Sequence, residues 1–205
     1  MSESLWDCTA DQLLRRASST DPTPGGGAIA ALTAAFGLGL VRMAVDISSA
    51  GGASAGGEQR RLADARSNAR ELQAQVAEAV DRDVEEFEAM MVGYRMPRDT
   101  DEQRSARQRA IADATVTATH GPLRLAELAV AGIALADEIE SSVKSTIVSD
   151  VQAGRDLLRG AALAALRTAD INLAALEQRS HAEAPALRRR RDAVRRAAAD
   201  VEERG

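Results

Sequence analysis

The stretch Thr20–Ile47, TDPTPGGGAIAALTAAFGLGLVRMAVDI, decides the fold. Pro22 and Pro24 fix their own φ and push Asp21 and Thr23 towards extended backbone, so the chain arrives stiff and non-helical. Gly25, Gly26 and Gly27 then remove every side chain where a helix opens. Bare N–H groups at the positive end of a helix dipole can be approached closely by an anion or an electron-rich group. Pro24, Gly25, Gly26 and Gly27 are therefore candidate binding residues. A loop that lets two backbones pack together would use the same glycines, and the sequence leaves both readings open. The residues that follow are small and apolar nearly all round, the pattern of a helix buried among others. The run from Ala28 to Val41 is too short to cross a membrane and is ended by Arg42 and Asp46, so a core helix is expected and no membrane partner.

Composition agrees with that reading. The chain has 205 residues, 45% hydrophobic and 28% charged, with only 2% aromatic. Ala, Leu, Arg and Glu dominate, which favours helices over a sheet rich in Val, Ile, Tyr and Phe. The expected fold is an all-α bundle of about six or seven helices, including long central ones. One helical domain over 1–180 is expected, with 181–205 as its Arg-rich C-terminal helix. A net charge of −5 argues against nucleic acid as partner. The single cysteine, Cys8, cannot pair within the chain, and no secretory leader is recognisable, so a cytoplasmic protein is expected. His120 and His181 are isolated from each other and from Cys8, so no metal site is expected.

Outward from the central helix, 5–18 reads as a short amphipathic helix with Leu5, Leu13, Leu14 and Ala17 inward. SSAGGASAGG (48–57) reads as a break, and a long helix follows over about 58–92. Pro97 to Thr100 makes a turn, and Thr100 with Gln103 forms a capping pair for a helix over about 101–119. Gly121-Pro122 reads as a second break with His120 in the turn, opening a further helix to about 140. A helix over about 146–178 and an arginine-rich one over 182–204 complete the chain. On the last, Arg188, Arg191 and Arg195 share a face. It reads first as a solvated face paired with Glu202, Glu203 and neighbouring acids, and second as a patch for an anionic tail.

Two acids stand in apolar stripes. Val76, Val80, Phe87 and Met90 recur at helical spacing, and Asp83 falls on the same stripe while Asp81, Glu85, Glu86 and Glu88 lie off it. Ile147, Gly154, Leu157 and Ala161 form a second stripe that Asp150 completes. A partly desolvated carboxylate has a raised pKa and suits proton transfer near neutral pH. The other reading of each is structural, an acid that caps a turn or pairs with an arginine.

PTPGGG before an Ala/Leu-rich helix resembles the opening of the cyclodeaminase/cyclohydrolase family, which includes the cyclodeaminase half of formiminotransferase-cyclodeaminase and free-standing methenyltetrahydrofolate cyclohydrolases. The acid and aromatic Asp83 and Phe87, the pair Ser149-Asp150, and the segment Ile171-Asn172-Leu173 carry the resemblance further. The family's Gly-Lys pair after the central helix is absent. Lys144, the chain's only lysine, and Arg42, Arg60 and Arg61 are the cations available to replace it.

The resemblance implies Asp83 and Asp150 as catalytic groups, one as general base and one stabilising a cation. It implies substrate binding by Pro24, Gly25–Gly27, Ser149, Lys144 and Arg42, with a tetrahydrofolate derivative as substrate, no separate cofactor, and a homodimer. The implied activity is hydrolysis of 5,10-methenyltetrahydrofolate to 10-formyltetrahydrofolate. The alternatives are cyclodeamination of 5-formiminotetrahydrofolate, or a relative that binds folate or another small ligand with changed or lost chemistry.

Overall fold

A computed structural model of the chain describes residues 4–50 and 56–202. Six α-helices follow one another: α1 (Ala10–Ala17), α2 (Gly26–Ser49), α3 (Gly56–Arg95), α4 (Asp101–Ile139), α5 (Val148–Gln178) and α6 (Ala184–Glu202). Short 3-10 turns at Leu5–Asp7, Glu140–Ser142 and Ser145–Ile147 join them, and no strand occurs among the described residues.

Helix α2 has the length and hydropathy of a membrane span, yet Ala28, Ala31, Ala34, Leu38, Val41 and Val45 are all within the core. Its small side chains let α3 and α5 approach closely. At the α2–α5 crossing, a Cβ on Gly37 would stand 2.8 Å from the carbonyl oxygen of Gly154, and one on Gly154 would stand 2.7 Å from that of Gly37. Lys144 N–H donates to Ser48 Oγ near the end of α2, whereas Thr168 and Asn172 of α5 share a cavity with Gly25–Gly27 at its start. The two helices are therefore antiparallel.

The long α3 buries Leu62, Ala65, Ala69, Val76, Val80 and Val84. Thr100 and Gln103 cap α4 reciprocally, Gln103 N–H donating to Thr100 Oγ1 at 3.2 Å and Thr100 N–H to Gln103 Oε1 at 3.3 Å. The expectation of a break at 48–57 falls partly on 51–55, which lie outside the described residues. Ser48, Ser49, Gly56 and Gly57 are helical.

Gly121-Pro122 does not break the chain, because α4 runs through it with Pro122 inside the helix. Proline removes the N–H that would bond the carbonyl four residues back. That carbonyl belongs to Ala118, and Asn172 Nδ2 of α5 donates to it at 2.7 Å. Gly121, lacking a Cβ, also relieves the clash that proline imposes on the residue before it. His120 thus sits mid-helix, facing Arg190 and Glu183.

At the N-terminus, Leu5 is buried and Leu13 packs against the core, but Leu14 and Ala17 face outward. Helix α6 is not simply a solvated basic face. Its Leu187 and Val194 join the common core, while Arg188 pairs with Glu177, Arg190 with Glu127, and Arg191 with Asp170 and Asp192. The acids that hold it are on α4 and α5 as well as its own, which local spacing cannot reveal. Glu202 and Glu203 have no described side chains.

Candidate active site

Helix α2 begins without a capping side chain: Gly25 is extended at the N-cap position and offers nothing to the free N–H groups. The acceptor comes from another helix. Asp83 Oδ2 of α3 accepts from Ala28 N–H at 2.9 Å, so an acid 55 positions away does the work of an N-cap. Gly27 is what admits it, since a Cβ there would lie 2.6 Å from Asp83 Cγ and closer still to Oδ1. Burial pushes the Asp83 carboxyl above its ordinary range, and the Ala28 hydrogen bond partly offsets this. The structural and chemical readings of Asp83 are compatible, because the carboxyl also lines a cavity of about 260 Å³. Gly25, Gly26 and Thr23 form one wall of it, Phe87 and Met90 another, and Thr168, Ile171 and Asn172 of α5 a third. The Thr23–Pro24 peptide is cis, and Pro24 is buried beside the same turn.

One carboxyl at this site was not anticipated. Glu86, expected off the apolar stripe, lies one helical turn beyond Asp83 and lines the same cavity. Its room is made by Gly121 of α4, where a Cβ would lie 3.1 Å from Glu86 Cδ. Burial first, then the charge of Asp83 and of Glu85, push Glu86 up to about 7, against the opposing pull of Arg82. The i, i+3 spacing from Asp83 was the available signal. What it lacked was the glycine on a separate helix that lets the carboxyl turn inward.

The other predicted site residues gather elsewhere. Asp150 is half-buried in the first turn of α5, beside exposed Ser149. Exposed Lys144 donates from Nζ to the Ile47 carbonyl at 3.1 Å, at the far end of α2. Arg42 is engaged with Gln73 at 3.0 Å and with Asp46 on the α3 side. Because α5 is antiparallel to α2, Asp150 lies beside the second half of α2, roughly 20 Å along the axis from Ala28 at 1.5 Å per residue. Within one chain, Asp83 and the glycine turn are together; Asp150, Ser149, Lys144 and Arg42 are not with them. Arg60 and Arg61 are exposed on the first turns of α3. No cluster of His, Cys, Asp or Glu suited to a metal ion occurs among the described residues.

Comparison with known proteins places this arrangement. Residues 9–191 match the family described as Formiminotransferase-cyclodeaminase. The chain is 32% identical over 165 residues to the methenyltetrahydrofolate cyclohydrolase of Methylorubrum extorquens, covering 80% of this chain and 77% of that one. It is 28% identical over 178 residues to the formimidoyltransferase-cyclodeaminase of Rattus norvegicus, covering 83% of this chain but only 31% of that longer protein. The crystal structure of formiminotetrahydrofolate cyclodeaminase from Thermotoga maritima superposes over 98% of both chains, with a TM-score of 0.72 at 14% identity, which establishes a common fold. With the helical architecture and the match over nearly the whole chain, the protein belongs to the formiminotransferase-cyclodeaminase family.

Proposed function

We propose that the protein is a methenyltetrahydrofolate cyclohydrolase of the cytoplasm, adding water to the amidinium carbon of 5,10-methenyltetrahydrofolate and opening the ring to 10-formyltetrahydrofolate. The observation that carries this reading is the Asp83 carboxyl, held against bare backbone at the start of α2 and facing a cavity, in a chain 32% identical to a cyclohydrolase. The substrate carbon is cationic, so a fixed negative charge beside it stabilises the bound ion and its approach to the tetrahedral adduct. The Gly25–Gly27 backbone supplies orientation, and Phe87, Met90 and Ile171 offer apolar surface to a flat heterocycle. No further cofactor is required.

Asp150 enters through a second copy of the chain. Asp150, Leu157, Ala164 and Ile171 recur at seven-residue intervals along one side of α5, and α2 leaves Phe36, Met43 and Ile47 exposed. Phe36 is 59% exposed and Ile171 72%, an apolar face that a homodimer would cover. Asp150 lies about ten residues before Gly160 and Ile171 about eleven after it, and a Cβ on Gly160 would meet nothing within 4 Å. A two-fold axis there brings the partner's Asp150 to this chain's Ile171, at the edge of the Asp83 cavity.

Loss of the methenyl chromophore, measured above the buffer reaction, tests the activity. Asp83→Asn keeps an acceptor for Ala28 N–H while removing the charge, so the fold survives and turnover falls by about 100-fold or more. Parent-like turnover in that variant would refute the reading. Cyclodeamination of formiminotetrahydrofolate, with ammonia as the leaving group, is the second reading. It is favoured by the 28% identity to the rat enzyme and is scored by ammonia release in the same preparations.

A further inference from the structure

We propose that Glu86 is a second catalytic carboxyl, the group that takes a proton from the attacking water and returns it to the departing nitrogen, with its own water-filled access on the side of the site away from the glycine turn. The proposal rests on the folate reading above and assigns a step which that reading leaves without a residue.

Three observations meet at Glu86. First, the two carboxyls on α3 are each admitted by a glycine from a different helix, Asp83 by Gly27 of α2 and Glu86 by Gly121 of α4. A methyl group at either position would displace the carboxyl that faces it, so each glycine leaves the room its acid occupies. Second, their hydrogen bonding differs. Asp83 Oδ2 is committed to Ala28 N–H, whereas no group among the described residues donates a hydrogen bond to Glu86. One carboxyl is anchored by a hydrogen bond and the other is free to exchange a proton.

Third, Asp83 and Glu86 stand between two cavities. The 260 Å³ cavity beside Gly25–Gly27 suits the organic ligand. A second cavity of about 90 Å³ lies between α3 and α4 and shares Gly27, Asp83 and Glu86 as its wall. It is the smaller of the two and has room for several waters. Its polar lining is Gln75, Glu78, Arg82 and Arg124, with Arg124 donating to Gln75. Glu86 can thus exchange protons with solvent through one cavity while the ligand fills the other.

The charges facing Glu86 are Arg82, Asp83 and Glu85 from its own helix, Glu78 across the small cavity, and Arg124 from α4. Helix α2 presents backbone only, and α5 presents Thr168 and Asn172, which are uncharged. Burial and the Asp83 charge raise Glu86 to about 7, so both its forms are populated at neutral pH.

The step balances as follows. Ionised Glu86 accepts one proton from water as the oxygen bonds to the amidinium carbon, giving a neutral carbinolamine. Protonated Glu86 then gives that proton to N5 as the C–N5 bond breaks. The hydroxyl proton leaves as the carbonyl forms and passes to solvent, so the cation and water yield the neutral formyl product and one proton.

The test is Glu86→Gln against the parent enzyme, with chromophore loss followed from pH 5.5 to 8.5. The parent is expected to show a limb near pH 7. The variant is expected to lose about 100-fold or more in kcat together with that limb, with KM nearly unchanged. A kcat loss smaller than about ten-fold, or a limb that survives the substitution, overturns the proposal. Should Glu86→Gln fail to fold, Glu86→Asp takes its place, with the limb displaced and kcat reduced by the same criterion. An inactive parent enzyme sinks the folate reading, whereas an active parent with an indifferent Glu86 variant sinks only this role.

Discussion

The hydrogen bond from Asn172 to the Ala118 carbonyl should be worth more than an ordinary side-chain contact, because Pro122 leaves that carbonyl no helical donor. Ala118 is only 8% exposed, so water is a poor substitute. Removing the donor with Asn172→Ala strands a buried acceptor, a cost of about 1–3 kcal/mol. For a chain of this length each kcal/mol lowers Tm by about 2–4 °C, so a fall of about 2–12 °C is expected. Pro122→Ala restores an N–H at the right place. In that background the helix bonds its own carbonyl, and Asn172→Ala should cost about 1–2 kcal/mol less than it does in the parent. The assay is a double-mutant cycle by urea unfolding, read by circular dichroism at one fixed protomer concentration. Additive costs, with a coupling under about 0.5 kcal/mol, would refute the argument that the asparagine repairs the proline gap.

Three other outcomes follow from the same geometry. Glu86 binds its proton more tightly folded than unfolded, so its contribution falls as pH rises from about 4.5 through about 7 and is level above that. The full displacement corresponds to about 3 kcal/mol, and screening at this half-buried side chain reduces it to about 1 kcal/mol; Glu86→Gln should therefore gain that much stability at pH 8 and nothing at pH 4, read by unfolding at each pH. Gly27→Ala must displace Asp83 from Ala28, so kcat should fall by about 100-fold although alanine is the better helix former, as steady-state kinetics will show. If sites are shared between copies, mixing inactive Asp83→Asn and Asp150→Asn proteins under exchanging conditions should restore about a quarter of parent activity, since half the dimers then hold one intact site; no recovery would place Asp150 outside the reaction.

Much of the fold was written in local pattern. The apolar α2 had no solvent face to offer, and it is the core helix. Thr100 and Gln103 sit three apart before a helix and cap it as the spacing requires. Asp83 could be singled out because Val76 and Val80 define the side of α3 on which it falls. The misreadings share a cause, in that each turned on a residue far away in the chain. Gly121-Pro122 is a helix breaker by every local rule, and only Asn172, 54 positions from the carbonyl it serves, lets α4 continue. Glu86 looked like a solvated acid because the glycine that admits it is on another helix. The arginines of α6 found their partners on α4 and α5, not only along their own face. Asp150 satisfied the stripe test yet stands at the opposite end of the α2–α5 seam, since periodicity specifies a face and says nothing about height along the bundle.

The Gly-Pro step in α4 ties two properties that enzymes usually keep apart. Gly121 leaves the room in which Glu86 is buried, and Pro122 makes the same turn depend on a donor borrowed from α5. Any fluctuation that loosens this turn admits solvent to Glu86 and draws its affinity back towards that of a free carboxylic acid. If Glu86 carries the proton as proposed, thermal softening of this one helical turn would detune the chemistry before the bundle melts, and the upper working temperature would follow that dipeptide rather than the core.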